Sequence, residues 1–356
     1  LAFNAGGSAY VTEANALTLA ATSTNNGAID VQTTAGTLTV GNVAVATTVT
    51  PATGGITSLA VGQTLAGVTA DGTGAVTLTA NGATSDVALG ATVRSGTGSI
   101  AVTAGNNILD TLAGDLGSGT DTSTSNKLNL ATGGNVTLHA GNSIGSTGSG
   151  TPDALEVWSG GTLTSTSSGT TADAGTYLNL LNTGSGINAP GSISSGKNLD
   201  LTSRASTTSG TGNLTVSGAV QTANDGYVRL AADKDVVINN TVTADGSGNL
   251  VVTAGLGGTG NLTQGANGAL TSGSGEINLR AQNDIALSAN VTTGGNVLAQ
   301  AVTGAITQSG GVLSADQAAL TSAGAIGSAS NRIQTNVNTL ALNAGGNAYV
   351  TEANAL

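Results

Sequence analysis

GNVTLHAGNSI, Gly134 to Ile144, decides the fold, because three other segments repeat its pattern at every defined position. They are GSIAVTAGNNI (Gly98 to Ile108), GYVRLAADKDV (Gly226 to Val236) and GEINLRAQNDI (Gly275 to Ile285). The shared phrase is G-x-[IV]-x-[VL]-x-A-x-[NK]-x-[IV], and looser copies begin at Gly27, Gly74, Gly212, Gly248 and Gly295. Apolar residues at alternate positions mark a half-buried β-strand, since successive side chains point to opposite faces. The alternation places Val136, Leu138, Val228, Leu230 and Leu279 inward, and Thr137, His139, Arg229 and Arg280 outward. The glycine is expected to start each strand after a turn. Asn106, Asn142 and Asn283, with Lys234 in the fourth copy, fall at the turn after the alanine, where asparagine tolerates left-handed backbone and its amide can bond neighbouring turns.

Spacing separates a solenoid from a sandwich. Gly226 to Gly248 is 22 residues, Gly248 to Gly275 is 27, and Gly275 to Gly295 is 20. Short strands repeating at such intervals, separated by Gly and Asn turns, form the coils of a parallel β-helix. In that fold equivalent strands of successive coils pair in parallel around a narrow core. An interior of Val, Leu, Ile and Ala fits the 2% aromatic content. No window keeps a 3.6-residue period, so almost no α-helix is expected. At about 22 residues per coil, residues 1–339 predict roughly 15 coils. Two stretches break the rhythm and are expected to be excursions from a regular coil: residues 110–127 and 145–175.

The phrase, with its extensions GNVTLHAGNSIGS, GSIAVTAGNNILDT and GEINLRAQNDIALS, resembles the repeat of filamentous-haemagglutinin-like adhesins. These are large exoproteins of bacterial two-partner secretion. The resemblance covers nearly the whole chain. It implies a right-handed parallel β-helix, export across the outer membrane to the cell surface or medium, and roles in adhesion and biofilm. The Asn-Pro-Asn secretion signature of that family is not found, and Pro51, Pro152 and Pro190 are the only prolines.

A longer repeat is superimposed on the short one. LAFNAGGSAYVTEANAL, Leu1 to Leu17, returns as LALNAGGNAYVTEANAL, Leu340 to Leu356, differing only at Phe3 against Leu342 and Ser8 against Asn347. Residues 1–339 therefore read as one module and 340–356 as the opening coil of the next. With no methionine anywhere, the chain is expected to be an internal piece of a longer polypeptide whose modules stack end to end.

Composition narrows the function. A net charge of −11 disfavours nucleic acid and anionic membrane surfaces as partners. No stretch approaches the length of an apolar membrane-spanning helix. Without cysteine there are neither disulfides nor thiolate metal sites. The nineteen acids look scattered, the single histidine, His139, has no Ser-His-acid setting, and the turns at Ala232–Asp235 and Thr243–Gly248 lack the GGxGxD calcium repeat. Thr-x-Thr pairs such as Thr37 and Thr39 or Thr77 and Thr79 do not recur at the constant spacing an ice-binding array needs. No enzyme, cofactor or metal is expected, although three acids gathered in one groove would favour polysaccharide cleavage. Trp158 beside Glu156 is a candidate glycan contact, because a ring next to a carboxylate can stack on a sugar. The competing reading has Trp158 sealing a corner of the helix. The leading expectation is a shaft or filament segment of a giant surface protein; the alternatives are a carbohydrate-binding module or a subunit assembling from separate chains, with glycans or proteins of host or bacterial surfaces as further partners.

Overall fold

The computed structural model describes residues 1–44, 64–116, 127–146, 153–182, 190–205 and 212–354. It is an all-β parallel solenoid of about 12 turns, and no helix occurs among the described residues. Among the described residues every coil-to-coil pairing is parallel, and the one antiparallel pair is a hairpin of Asn42–Ala44 with Thr64–Ala66.

In its first half each coil has three sides. The first side carries five-residue strands, including Ile29–Thr33, Val76–Ala80, Ile100–Ala104 and Val136–Ala140. The second carries Leu38–Val40, Val87–Leu89 and Ile108–Asp110, continued by a bridge to Ile144. The third carries Val68–Ala70, Val93–Ser95, Leu130–Thr132 and Leu155–Ser159. At Gly175–Asn182 the second and third sides fuse into one strand: Thr176 bridges Ile144, while Leu178 and Leu180 pair with Leu155 and Val157. Beyond it a new three-residue side appears, Leu214–Val216, Val236–Ile238, Leu262–Gln264, Ile285–Leu287 and Ile306–Gln308.

This change of phase explains a feature hidden in the sequence. The phrases from Gly98 and Gly134 stack on the first side, where Ile100 pairs with Val136. Those from Gly226, Gly248 and Gly275 stack on the fused side, where Val228, Leu250 and Ile277 follow one another. The phrase specifies which residues face inward and where the chain turns, not which side of the coil it occupies. The inward residues form one core running from Leu19 to Val337. Val136, Leu138, Val228, Leu230 and Leu279 are all buried, and Thr137 and His139 are exposed, as the alternation requires. Arg229 is half-buried and bonds Asp200, its register partner one coil back, at 2.8 Å.

The phrase glycine has a stricter role than starting a strand. A Cβ on Gly98 would sit 2.2 Å from the carbonyl oxygen of Gly74, and one on Gly248 would sit 2.0 Å from that of Gly226. Phrase glycines thus stack in two columns, Gly74, Gly98 and Gly134 on the first side and Gly226, Gly248, Gly275 and Gly295 on the fused side, where an added Cβ would meet the backbone of the coil beneath. Buried hydroxyls satisfy the same carbonyls: Ser95 donates to Gly74, Thr132 to Gly98, Ser159 to Gly134, Ser272 to Gly248 and Thr293 to Gly275. Ser95, Thr132, Ser159 and Ser272 end the strand before the next phrase, and Thr293 follows such a strand directly.

The turn after the alanine also differs from expectation. Asn106 and Asn142 do bond the neighbouring coil, through Asp86 and Asn107 respectively, each at 2.9 Å. Left-handed backbone among non-glycine residues is instead found at Asn25, Asn26, Asn224 and Asp225, in turns preceding a phrase glycine. The residue just before the final apolar position matters as much. Asn213 accepts from the Asp235 backbone N–H, Asp235 from Asn261, Asn261 from Asp284, and Asp284 from Ala305. Each side chain caps the equivalent amide one coil further on.

The expected 15 coils are reduced to about 12 because some steps are long. Ile29 to Val76 spans 47 residues and Ile100 to Val136 spans 36, against 24 from Val76 to Ile100. The longest step holds the antiparallel hairpin, an excursion the rhythm of the sequence does not disclose. Of the two stretches expected to be irregular, residues 117–126 and 147–152, Pro152 included, lie outside the described residues; within the second, Leu155–Ser159 and Leu163–Ser167 are regular coil strands.

The two copies of the 17-residue phrase occupy corresponding sides. Ala2–Ala5 lies on the third side and Ala9–Glu13 on the first; Leu340 to Ala344 lies on the fused side and Val350–Glu352 on the first. Register partners followed from Val11 through Leu138, Ile193 and Leu313 end at Glu352, whereas the equivalent of Val11 is Val350. The second copy is therefore displaced by two residues around the coil. An even displacement keeps inward residues inward.

Candidate functional site

At three steps the chain leaves one corner, between the second and third sides: after Val40, Asp110 and Ile144, rejoining the third side at Val68, Leu130 and Leu155. The middle one supplies a cover for the outer face of the third side. Leu116 and Leu128 pack there on Ala131, Leu181 and the half-buried ring of Trp158, forming an apolar cluster separate from the main core. Trp158 and Glu156 share this outward face of Leu155–Ser159, as alternation predicts.

Beside the cluster lies a polar network. Asp110 ends Ile108–Asp110 at the inward position held one coil earlier by Leu89. Asn129 donates to Asp110 Oδ1 at 2.8 Å and accepts the Glu156 N–H at 2.7 Å. The Leu112 N–H also reaches Asp110 Oδ1, at 2.8 Å. Glu156 Oε1 accepts from Asn179, its register partner, at 3.1 Å. Asp110, Asn129 and Glu156 are 3%, 0% and 0% exposed. The second oxygens, Asp110 Oδ2 and Glu156 Oε2, are buried and accept from no N–H or hydroxyl donor, so the two carboxyls can bond there only to each other, through a shared proton. Exposed Asp115 completes the group, and oxygens of the three carboxylates lie within 4.8 Å of one another.

Burial, followed by the hydrogen bond and charge of Asp110 and the charge of Asp115, pushes the Glu156 carboxyl up to about 9, against the pull of Asn179. Burial also raises Asp110. Asp153 rises for the same reason, reinforced by the charges of Asp110 and Asp115. Two buried carboxyls facing each other cannot both stay ionised without a proton or cation between them.

Acids that look scattered in sequence are thus brought together, Asp110 and Glu156 from strands on successive coils. The condition for a polysaccharide-cleaving site is met in number but not in access, because two of the three are covered. The same burial removes Glu156 from any glycan-contacting surface. Trp158 turns its ring into the apolar cluster, which is the sealing role. The acidic turns elsewhere are engaged structurally: Asp233 pairs with Arg204 at 3.3 Å and Asp235 caps Asn261. Only one feature foreshadowed the cluster, an aspartate at Asp110 on inward parity two residues after Ile108.

Trp158→Ala is expected to cost about 2 kcal/mol, less than for a fully buried ring, and to act locally. Limited proteolysis should then cut faster beside Leu116 and Leu128, which pack on the ring, while the far-ultraviolet circular dichroism stays that of the parent.

Scans against protein families, curated proteins and solved structures return no match to this chain.

Proposed function

We propose that the chain is one module of a shaft in a giant, surface-displayed or secreted bacterial protein of the filamentous-haemagglutinin-like kind. The observation that supports this reading is the placement of the 17-residue phrase. Its two copies sit on corresponding sides of the solenoid, displaced by an even number of residues, so a further copy continues both the backbone ladders and the inward alternation. Parallel ladders and an aliphatic core shared between coils provide axial continuity without any cap between modules. A coat of Thr, Ser and Asn with sparse charge suits a shaft exposed to the medium.

Antibody labelling of the producing bacterium tests the assignment. Labelling of intact cells or of the medium is expected, on a native polypeptide far heavier than 33.7 kDa. Recovery only from the cytosol, as a chain of that mass, would overturn it. Surface labelling on separate 33.7 kDa chains would replace covalent modules with stacking subunits.

A further inference from the structure

We propose that Asp110, Glu156 and Asp115 bind one divalent cation of the calcium class, clamping residues 111–116 to the corner of the solenoid. Two observations carry this independently of the shaft reading. The first is the convergence of three carboxylates from the end of one strand, the middle of another and the excursion itself, within 4.8 Å. The second is the orientation of the two buried acids. Asp110 Oδ1 and Glu156 Oε1 are each held by protein N–H donors, which fixes the carboxyl planes. That leaves Oδ2 and Oε2 buried with no N–H or hydroxyl donor, their only partner the single proton that the two carboxyls share.

The chemistry of the donor set selects the ion. With oxygen ligands and neither His nor Cys, the site favours a hard cation over zinc or copper. Calcium accepts an irregular set of carboxylates completed by water, whereas magnesium demands near-ideal octahedral geometry and sheds its water reluctantly. Exposed Asp115 supplies the solvent side, through which ion and water enter. Binding exchanges the proton shared by Asp110 and Glu156 for the cation, so the proton leaves to solvent as the metal–oxygen contacts form.

Trp158, the only tryptophan, stands two residues from Glu156 and provides a built-in reporter. The chelated full chain is titrated with Tb³⁺ while tryptophan is excited, then with Ca²⁺ as competitor. The expected result is saturable sensitised emission at one ion per chain, displaced by Ca²⁺. Asp110→Asn and Glu156→Gln should each weaken binding by at least about tenfold, with Asp115→Asn weaker in effect. Asp71→Asn, an exposed acid remote from the corner, should bind as the parent does. Circular dichroism verifies that each variant is folded. No saturable Ca²⁺ competition by the parent, or parent-like binding by folded Glu156→Gln, would overturn the proposal.

Discussion

Gly248→Val is expected to destabilise the solenoid by about 3 kcal/mol or more, because the added atoms meet backbone that cannot rotate away. Even a first carbon there would lie 2.0 Å from the Gly226 carbonyl oxygen and 2.6 Å from its carbon. The coils at that point must separate, breaking the ladder between Val228–Ala232 and Leu250–Ala254. Each coil contacts only its neighbours, so the damage should be local. Hydrogen exchange should accelerate across residues 226–281 and remain slow across 76–104. Gly7→Ala is the control, since a Cβ there meets nothing within 4 Å. A Gly248→Val protein that melts with the parent would refute the close stacking of phrase glycines.

With divalent ions chelated, thermal stability is expected to fall as pH rises through the window from 4.5 to about 9, the ordinary and folded values for Glu156. The folded state holds this proton more tightly than the unfolded chain does. Stability conferred by the neutral acid is therefore complete below the unfolded value and is lost as pH climbs through the folded one. Glu156→Gln keeps an oxygen for Asn179 and places N–H donors where the proton stood, facing Asp110. Its profile should lack the alkaline decline attributable to Glu156, leaving it more stable than the parent near the top of the window. Melting temperatures across that range check the sign; a parent with no decline, or one stabilised on deprotonation, would contradict it.

The fold is legible in the sequence because alternation is a local property. Gly134 to Ile144 alone identifies Val136 and Leu138 as inward, and both are buried. Which side of the coil a phrase occupies is not local. It depends on how many residues each preceding corner consumes, so the transfer of the phrase from the first side to the fused side escapes notice. The hairpin of Asn42–Ala44 with Thr64–Ala66 is hidden for a related reason, since its residues have the same Val, Thr and Ala composition as a coil strand. The acid cluster is harder still. Asp110 and Glu156 are 46 residues apart, and only the step from Leu130–Thr132 to Leu155–Ser159 brings them to one corner. Glu156 lies on outward parity, and its burial comes with residues from a distant stretch, such as Leu116, whose N–H lies 3.5 Å from Glu156 Oε1, which periodicity cannot encode.

The phrase at Leu1 to Leu17 and Leu340 to Leu356 ties these levels together. The short repeat builds the coil, and the long repeat returns the chain to the same sides with inward parity intact. Joining residues 1–339 to a second full copy should therefore produce one continuous solenoid. About 12 turns per module at roughly 4.8 Å per turn give about 60 Å, and two modules about 120 Å. Electron microscopy of that two-module protein is the most direct test. A single straight rod of roughly twice the one-module length is the predicted result. Two particles joined at variable angles, or a compact globule, would contradict end-to-end continuity.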